Sequence, residues 1–318
     1  MNKKDKIKLA LVCGGRSAER EVSLSGAEGV KNALDRDKYD VTVYDPKSDI
    51  PRIVADAGKI DVAFILLHGK YGEDGTIQGL FDMLDIPYQG SGVLGSALAM
   101  DKHLSKVVYR ASGIPTPDWI TLESSKDINP EEIVRKLGLP LIVKPCTQGS
   151  SVGMARVDDA SALGDALREA FKWDSRVMAE AFTSGREITA GVIGNRELQA
   201  LPLVEIIPGE KYDFFDMEAK YKPGATREVC PAEIDEEVAV RARNIGIMAH
   251  RALSLRGYSR TDMILAQDGT IKVLETNTIP GMTPTSLFPQ AAAAAGMEFS
   301  SLLDRLIELA LETGKVDA

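Results

Sequence analysis

Residues 7–90 repeat one signal: a short apolar run, a break, then a segment with helical spacing. The runs are IKLALVC (7–13), YDVTVYD (39–45) and IDVAFILLHG (60–69); SLSGAEGVKNAL and GTIQGLFDMLDI (75–86) are the helical segments. Apolar density of this kind marks strands buried on both faces. Strands alternating with helices predict an α/β fold with an open parallel sheet. Ligands in such sheets sit beyond the carboxyl ends of the strands. Here those ends carry the loops CGGRSAE and LHGKYGEDG.

The remaining chain has a different texture, and 318 residues suggest about two domains. A helix is expected from roughly Gly95 to Ala111, closed by SGIPTPDW, with the first boundary near Gly95. LGLPLIVKP (137–145) and RVMAEAF (176–182) read as strands flanking a helix over DASALGDALREAFKW. Residues 186–207 read as a meander turning at Gly194-Asn195, and 212–229 as a loop over a site or an edge strand. EEVAVRARNIGIMAHRALSL is a long amphipathic helix. In SSLLDRLIELALETG, Leu302, Leu303, Leu306, Ile307 and Ala310 share one face.

The net charge of −9 argues against a nucleic-acid partner, since phosphate backbones are gripped by clustered Lys and Arg. Cys13, Cys146 and Cys230 are scattered, so no disulfide framework or zinc site is read from them. The N-terminal apolar run is too short for a signal peptide, and no window approaches the ~20 apolar residues of a membrane span. A soluble cytoplasmic protein without a membrane partner is expected.

TDMILAQDGTIKVLETN (261–277) reads as a hairpin around Asp268-Gly269. A two-residue turn pairs Gln267 with Thr270, Ala266 with Ile271, Ile264 with Val273, Asp262 with Glu275 and Arg260 with Asn277. Two carboxylates facing each other with Cβ atoms about 5 Å apart repel. Either Arg260 holds an acidic, water-exposed hairpin end, or a divalent cation bridges Asp262, Glu275 and Asn277. Oxygen-only ligands suit Mg²⁺ or Mn²⁺ rather than zinc.

Other motifs carry two readings each. The Walker A pattern is absent, and GSGVLG (90–95) lacks the acidic residue of a dinucleotide site, so it reads as a turn into a helix. In VKPCTQGSSVG (143–153), Lys144 ends an apolar strand, where a buried amine needs an anion. Gly149, Ser150 and Ser151 form a loop suited to phosphate oxygens. The alternative is a polar loop with Lys144 reaching outward. Lys102 has a solvated helix face as its default. Glu19 is either an ammonium ligand or a first-turn acid favoured by the helix dipole. His68 lies on the same sheet edge, whereas His103 and His250 have no catalytic partner in sight.

Taken together and in order, GGRSAEREVSL, LHGKYGEDGTIQG, YQGSGVLGSALAMDK, LPLIVKP, GSSVGM, EAKY, SRTDM and LETNTIPGMTPTSLFP resemble the D-alanine–D-alanine ligases of the ATP-grasp superfamily. The resemblance implies an N-terminal α/β substrate domain (1–95), a central subdomain (96–183) and a C-terminal subdomain (184–318), the last two making the ATP-grasp fold. It implies that ATP phosphorylates one D-alanine to an acylphosphate, which the amine of a second attacks, for peptidoglycan precursor synthesis. It assigns two Mg²⁺ ions, with Mn²⁺ the alternative, to Asp262, Glu275 and Asn277, and charge stabilisation to Arg260. Lys102, Lys144 and Lys220 would hold phosphates, with Ser151 in the same loop. Glu180 and Phe182 would border adenine, and Glu187 the ribose. Glu19 would bind the first substrate's ammonium, linked with Ser150 and Tyr221 to a lid over 208–223, with His68 nearby. Ser286, Leu287 and Gly281 would receive the second carboxylate. A homodimer is implied.

The chain departs from the usual family pattern with Ala181, Phe182, Phe215 and Met217, which bears on nucleotide contacts and the lid. Tyr221, where D-lactate-using members tend to carry His, favours an amine acceptor. Competing readings are an ATP-grasp ligase with other substrates, a nucleotide-binding scaffold without chemistry, and a dehydrogenase resting on GSGVLG.

Overall fold

The computed structural model describes residues 6–209 and 226–313. β1 (Ile7–Val12), α1 (Arg20–Ala33), β2 (Tyr39–Tyr44), α2 (Ile50–Asp56) and β3 (Val62–Ile65) form the expected parallel sheet, in the order β2-β1-β3. One face buries Ala10, Val12 and Ile65 with Ile53, Ile77 and Phe81. The other buries Leu9, Leu11 and Phe64 with Val30 and with Leu302, Leu303, Leu306 and Ile307 from the last helix. Strand order reverses between β1 and β3. The loops after these two strands therefore splay apart and open a crevice.

α3 (Thr76–Met83), α4 (Val93–Met100) and α5 (Lys102–Ala111) follow. GSGVLG is indeed a turn into a helix, with Gly92 at the N-cap of α4. The single helix expected from Gly95 to Ala111 is two. Asp101 is extended (φ −88°, ψ 103°) and its side chain accepts the N–H groups of His103 and Leu104, capping α5. Arg176 donates to its other oxygen. The break makes Lys102 the first residue of a new helix rather than a member of a solvated face.

A second sheet comprises β4 (Trp119–Leu122), β5 (Leu141–Pro145), β6 (Ala155–Val157) and β7 (Val177–Ala181). It is antiparallel, in the order β4-β7-β5-β6. α6 (Pro130–Leu137) and α7 (Ala160–Ala170) cover one of its faces. The strand expected from 137 begins only at Leu141, because Leu137 belongs to α6 and Gly138 (φ +76°) ends that helix.

The third sheet contains β8 (Gly185–Gly194), β9 (Gln199–Ala200), β10 (Val204–Pro208), β11 (Thr226–Val229), β12 (Gly257–Ala266) and β13 (Ile271–Asn277). Its order is β11-β10-β8-β12-β13, with β9 on β8. Thr226–Val229 is thus the edge strand, while 210–225 lies outside the described residues. α8 (Glu236–Ala252) lies across β8; a Cβ on Gly246 would stand 2.8 Å from that of Ala190, so only glycine permits this approach. α9 (Leu287–Ala294) and α10 (Phe299–Thr313) close the chain. Among the described residues no helix is long and apolar enough to cross a membrane.

The β12–β13 hairpin corrects the expected register near its turn and keeps it at its far end. Leu265, not Ala266, faces Ile271, and Met263 faces Val273. The loop is three residues long, closed by Ala266 N–H to Thr270 O (2.8 Å), with Gly269 left-handed at φ +80°. A bulge between Met263 and Asp262 then takes up the extra residue on the β13 side, Leu274. Asp262 consequently faces Glu275, and Arg260 faces Asn277, as expected.

Candidate active site

Two clefts meet at the ends of these sheets. The first, about 860 Å³ counting its open mouth, lies between the second and third sheets. Lys144, Glu180, Phe182, Glu187, Ser151 and Lys102 line it, opposite Asp262 and Glu275. The second opens where β1 and β3 end and is lined by Glu19, His68, Arg260, Asn277, Gly281 and Ser286, with Leu287 and Ser150. Lys102 and Glu275 line both, forming their common wall.

Lys144 is buried, and its anion is Glu180 of the chain itself, 2.7 Å away. Burial disfavours the Glu180 carboxylate, but the ammonium groups of Lys106 and Lys144 outweigh it and hold its pKa below the usual range. Lys102 bridges three parts: its N–H reaches Cys146 O (2.9 Å), its Nζ donates to Gln148 O (2.8 Å), and Nζ lies 3.2 Å from Glu275. Burial opposes the Lys102 charge, yet Glu275 raises its pKa overall.

The loop after β5 is tied down at both ends. Asp174 accepts from Thr147 N–H (2.6 Å) and Oγ1 (2.8 Å). Ser150 Oγ donates to Glu19 Oε1, the link expected between them. Ser150 and Ser151 both take left-handed backbone (φ 50° and 58°), a strain that non-glycine residues carry mostly at functional sites. The Glu19 carboxylate is also why two glycines stand around it. A Cβ on Gly69 would come within 2.7 Å of Oε2, and one on Gly149 within 3.0 Å.

The repulsion between Asp262 and Glu275 is met by two cations of the chain. Arg260 grips Asp262 with two bonds of 2.8 Å, and Lys102 stands by Glu275. Burial disfavours the Arg260 cation, but Asp262 holds its pKa above the ordinary value. Asn277 Nδ2 donates to Asp262 Oδ2 (3.0 Å), and Glu275 is Asp262's partner across the hairpin. Two carboxylates and a carboxamide on one hairpin face fit a hard divalent ion.

Sequence reasoning missed two charged groups here. Glu73 lines the second cleft and accepts from Gly69 N–H (2.7 Å). Burial, with Glu19 nearby, pushes its pKa up to about 8. Burial lowers the His68 pKa, with Arg260 adding to the effect and Glu19 opposing it. Lys106 is fully buried 2.5 Å from Glu180. Its position one turn beyond Lys102 on α5 was the available clue. His103 and His250 are structural: the first sits by Trp119 and Thr121, the second by Ser259. Lys220, Tyr221, Phe215 and Met217 lie outside the described residues.

Known proteins resemble this chain along its whole length. The profile of the D-ala D-ala ligase C-terminus matches residues 108–308, and that of the D-ala D-ala ligase N-terminus residues 47–91. A D-alanine--D-alanine ligase of Syntrophobacter fumaroxidans is 55% identical over 308 residues, covering 97% of this chain and 99% of the relative. Another, from Desulfotalea psychrophila, is 54% identical over 312 residues, covering 98% and 97%. The crystal structure of the Bacillus anthracis D-alanine--D-alanine ligase complexed with ATP superposes with a TM-score of 0.86 at 37% identity, covering 98% of this chain and all of that one. With two clefts sharing a wall of lysine and carboxylate, and with this similarity from end to end, the chain belongs to the D-alanine–D-alanine ligase family and has its ATP-grasp fold.

Proposed function

We propose that this protein joins two D-alanines to D-alanyl-D-alanine at the expense of ATP, releasing ADP and phosphate. One observation supports this above the others: Lys102 and Glu275 belong to both clefts, so a nucleotide in the first presents its terminal phosphate to a carboxylate in the second.

The chain's residues act mainly by placement and charge. Lys144 and Lys102 hold phosphate oxygens, and Ser151 lies in the loop that covers them. Phe182 and Glu180 border the base, and Glu187 the ribose. Glu19 takes the ammonium of the first D-alanine and orders the phosphate loop through Ser150. Arg260 faces the transferred phosphoryl and the oxyanion formed when the second amine attacks the acylphosphate. Ser286, at the N-terminus of α9, and Leu287 take the second carboxylate, and Gly281 leaves room for it; a Cβ there would stand 3.0 Å from Ser286 Oγ. Asp262, Glu275 and Asn277 would hold Mg²⁺, or Mn²⁺. Bound there, the cation would neutralise triphosphate charge. Lys220 and Tyr221 keep the roles their motif suggests. Membership also supports a homodimer, a cytoplasmic setting and supply of a peptidoglycan precursor.

Phosphate release with ATP, Mg²⁺ and D-alanine tests the reading, run across D- and L-amino acids and D-lactate. Release above the ATP-only control with D-alanine is expected. No release with D-alanine would overturn the reading, and a preference for D-lactate would replace the acceptor.

A further inference from the structure

Lys106 lies on α5 behind the wall of the nucleotide cleft and lines neither cleft. It is completely buried, its Nζ fixed by Thr116 Oγ1 (2.5 Å), by Pro117 O (3.4 Å) and by the Trp119 ring (5.5 Å to centroid). Its charge partner is Glu180 Oε2 at 2.5 Å. Glu180 is itself 3% exposed and does line the cleft. A buried lysine is expensive unless paired, and nothing about packing alone requires an ammonium at this point. Burial pulls Lys106 down to about 8 against the opposing effect of Glu180, so it remains largely charged at neutral pH.

Glu180 thus has two cations, and they differ in freedom. Lys144, 2.7 Å from Oε1, lines the cleft and can turn toward phosphate. Lys106 cannot reach the cleft. We propose that Lys106 is a positioning residue for base recognition, the fixed counter-charge that keeps Glu180 an ionised acceptor when a nucleotide draws Lys144 away. The inference rests on the reading that Glu180 borders the base. An ionised carboxylate only accepts hydrogen bonds. It therefore favours a purine with an exocyclic amine, as in ATP, over one with a carbonyl there, as in inosine triphosphate.

The test compares wild type with Lys106→Met, Glu180→Gln and the double variant. Calorimetry gives the Kd of ATP and inosine triphosphate, and phosphate release gives KM and kcat. Lys106→Met should weaken ATP binding about tenfold, which is about 1.4 kcal/mol. It should weaken inosine triphosphate binding by less than about twofold and leave kcat within about threefold. In the Glu180→Gln background the same substitution should add less than about twofold, as expected of residues acting through one contact. Equal losses for both nucleotides, or an undiminished tenfold loss in the Glu180→Gln background, would overturn the proposal in favour of a purely structural role. If Glu180→Gln changes the preference between nucleotides while Lys106→Met does not, the inference alone fails. If Glu180→Gln changes nothing, the base contact fails and the inference with it. Should Lys106→Met not fold, Lys106→Gln, with a donor but no charge, carries the same comparison.

Discussion

Gly149→Ala isolates the coupling between the phosphate loop and the first-substrate pocket. Gly149 does not have left-handed backbone, so alanine adds a methyl without conformational strain. That methyl would stand 3.0 Å from Glu19 Oε2 and 3.7 Å from its Cδ. The carboxylate must retreat by a few tenths of an ångström, and its bond from Ser150 stretches with it. A hydrogen bond to a charged group contributes about 1.5–3 kcal/mol. Partial loss of the matching contact between the displaced Glu19 carboxylate and the substrate ammonium is about 1.4 kcal/mol, or about tenfold in affinity. The expected result is a roughly tenfold rise in KM for D-alanine, an unchanged KM for ATP and a small fall in Tm from the stretched Ser150 bond. Gly69→Ala provides the contrast: its Cβ would meet the same oxygen at 2.7 Å, and its φ of +69° adds about 1–3 kcal/mol of backbone strain, so Tm should fall clearly further than in Gly149→Ala. An unaltered D-alanine KM in Gly149→Ala would remove Glu19 as the ammonium ligand. An equal rise for ATP would mean that the loop answers to phosphate instead.

Two further outcomes follow from the charges around the shared wall. Glu275→Gln should abolish turnover at every Mg²⁺ concentration while circular dichroism stays native; unchanged turnover would take Glu275 out of the metal set. Glu73, at about 8 in the fold against an ordinary 4.5, makes the folded state bind more protons than the unfolded one between those values. Stability contributed by this group is therefore lost as pH rises through that window. Glu73→Gln should raise Tm relative to wild type by more at pH 8.5 than at pH 5, and a pH-independent difference would refute the burial argument.

Much of the fold was readable because apolar density and helical spacing are local. The parallel sheet and the last amphipathic helix were legible in this way. The Asp262–Glu275 juxtaposition was legible for a less secure reason. The pairing follows from a two-residue turn, whereas the loop has three residues and the bulge at Leu274 restores the register. No local pattern announces a bulge. α6 has no counterpart among the elements expected from the sequence, although Asn129, Pro130 and Gly138 mark its ends; eight residues are too short for helical spacing to stand out. The α4–α5 break was missed because Asp101 looks like an ordinary helix residue until Arg176, far along the chain, is seen to hold it. Lys106 stayed hidden for the same reason: a buried charge is recognised by its partner, and Glu180 is remote in sequence; the setting of Glu73 depends on Glu19, equally remote, whose charge disfavours its ionisation.

On one face of the first sheet, part of the cover comes from the other end of the polypeptide. Leu9, Leu11 and Phe64 are sealed by Leu302, Leu303, Leu306 and Ile307. During translation, roughly 230 residues separate the emergence of β3 from that of α10, on the order of 10–50 s at ~5–20 residues per second. For that interval the nascent sheet shows an oily flank to the cell, a natural docking point for a holdase chaperone and a ready nucleus for aggregation. Stop codons that delete only the final helix would prolong this exposure indefinitely, so premature termination there should send the chain to inclusion bodies with every catalytic residue intact.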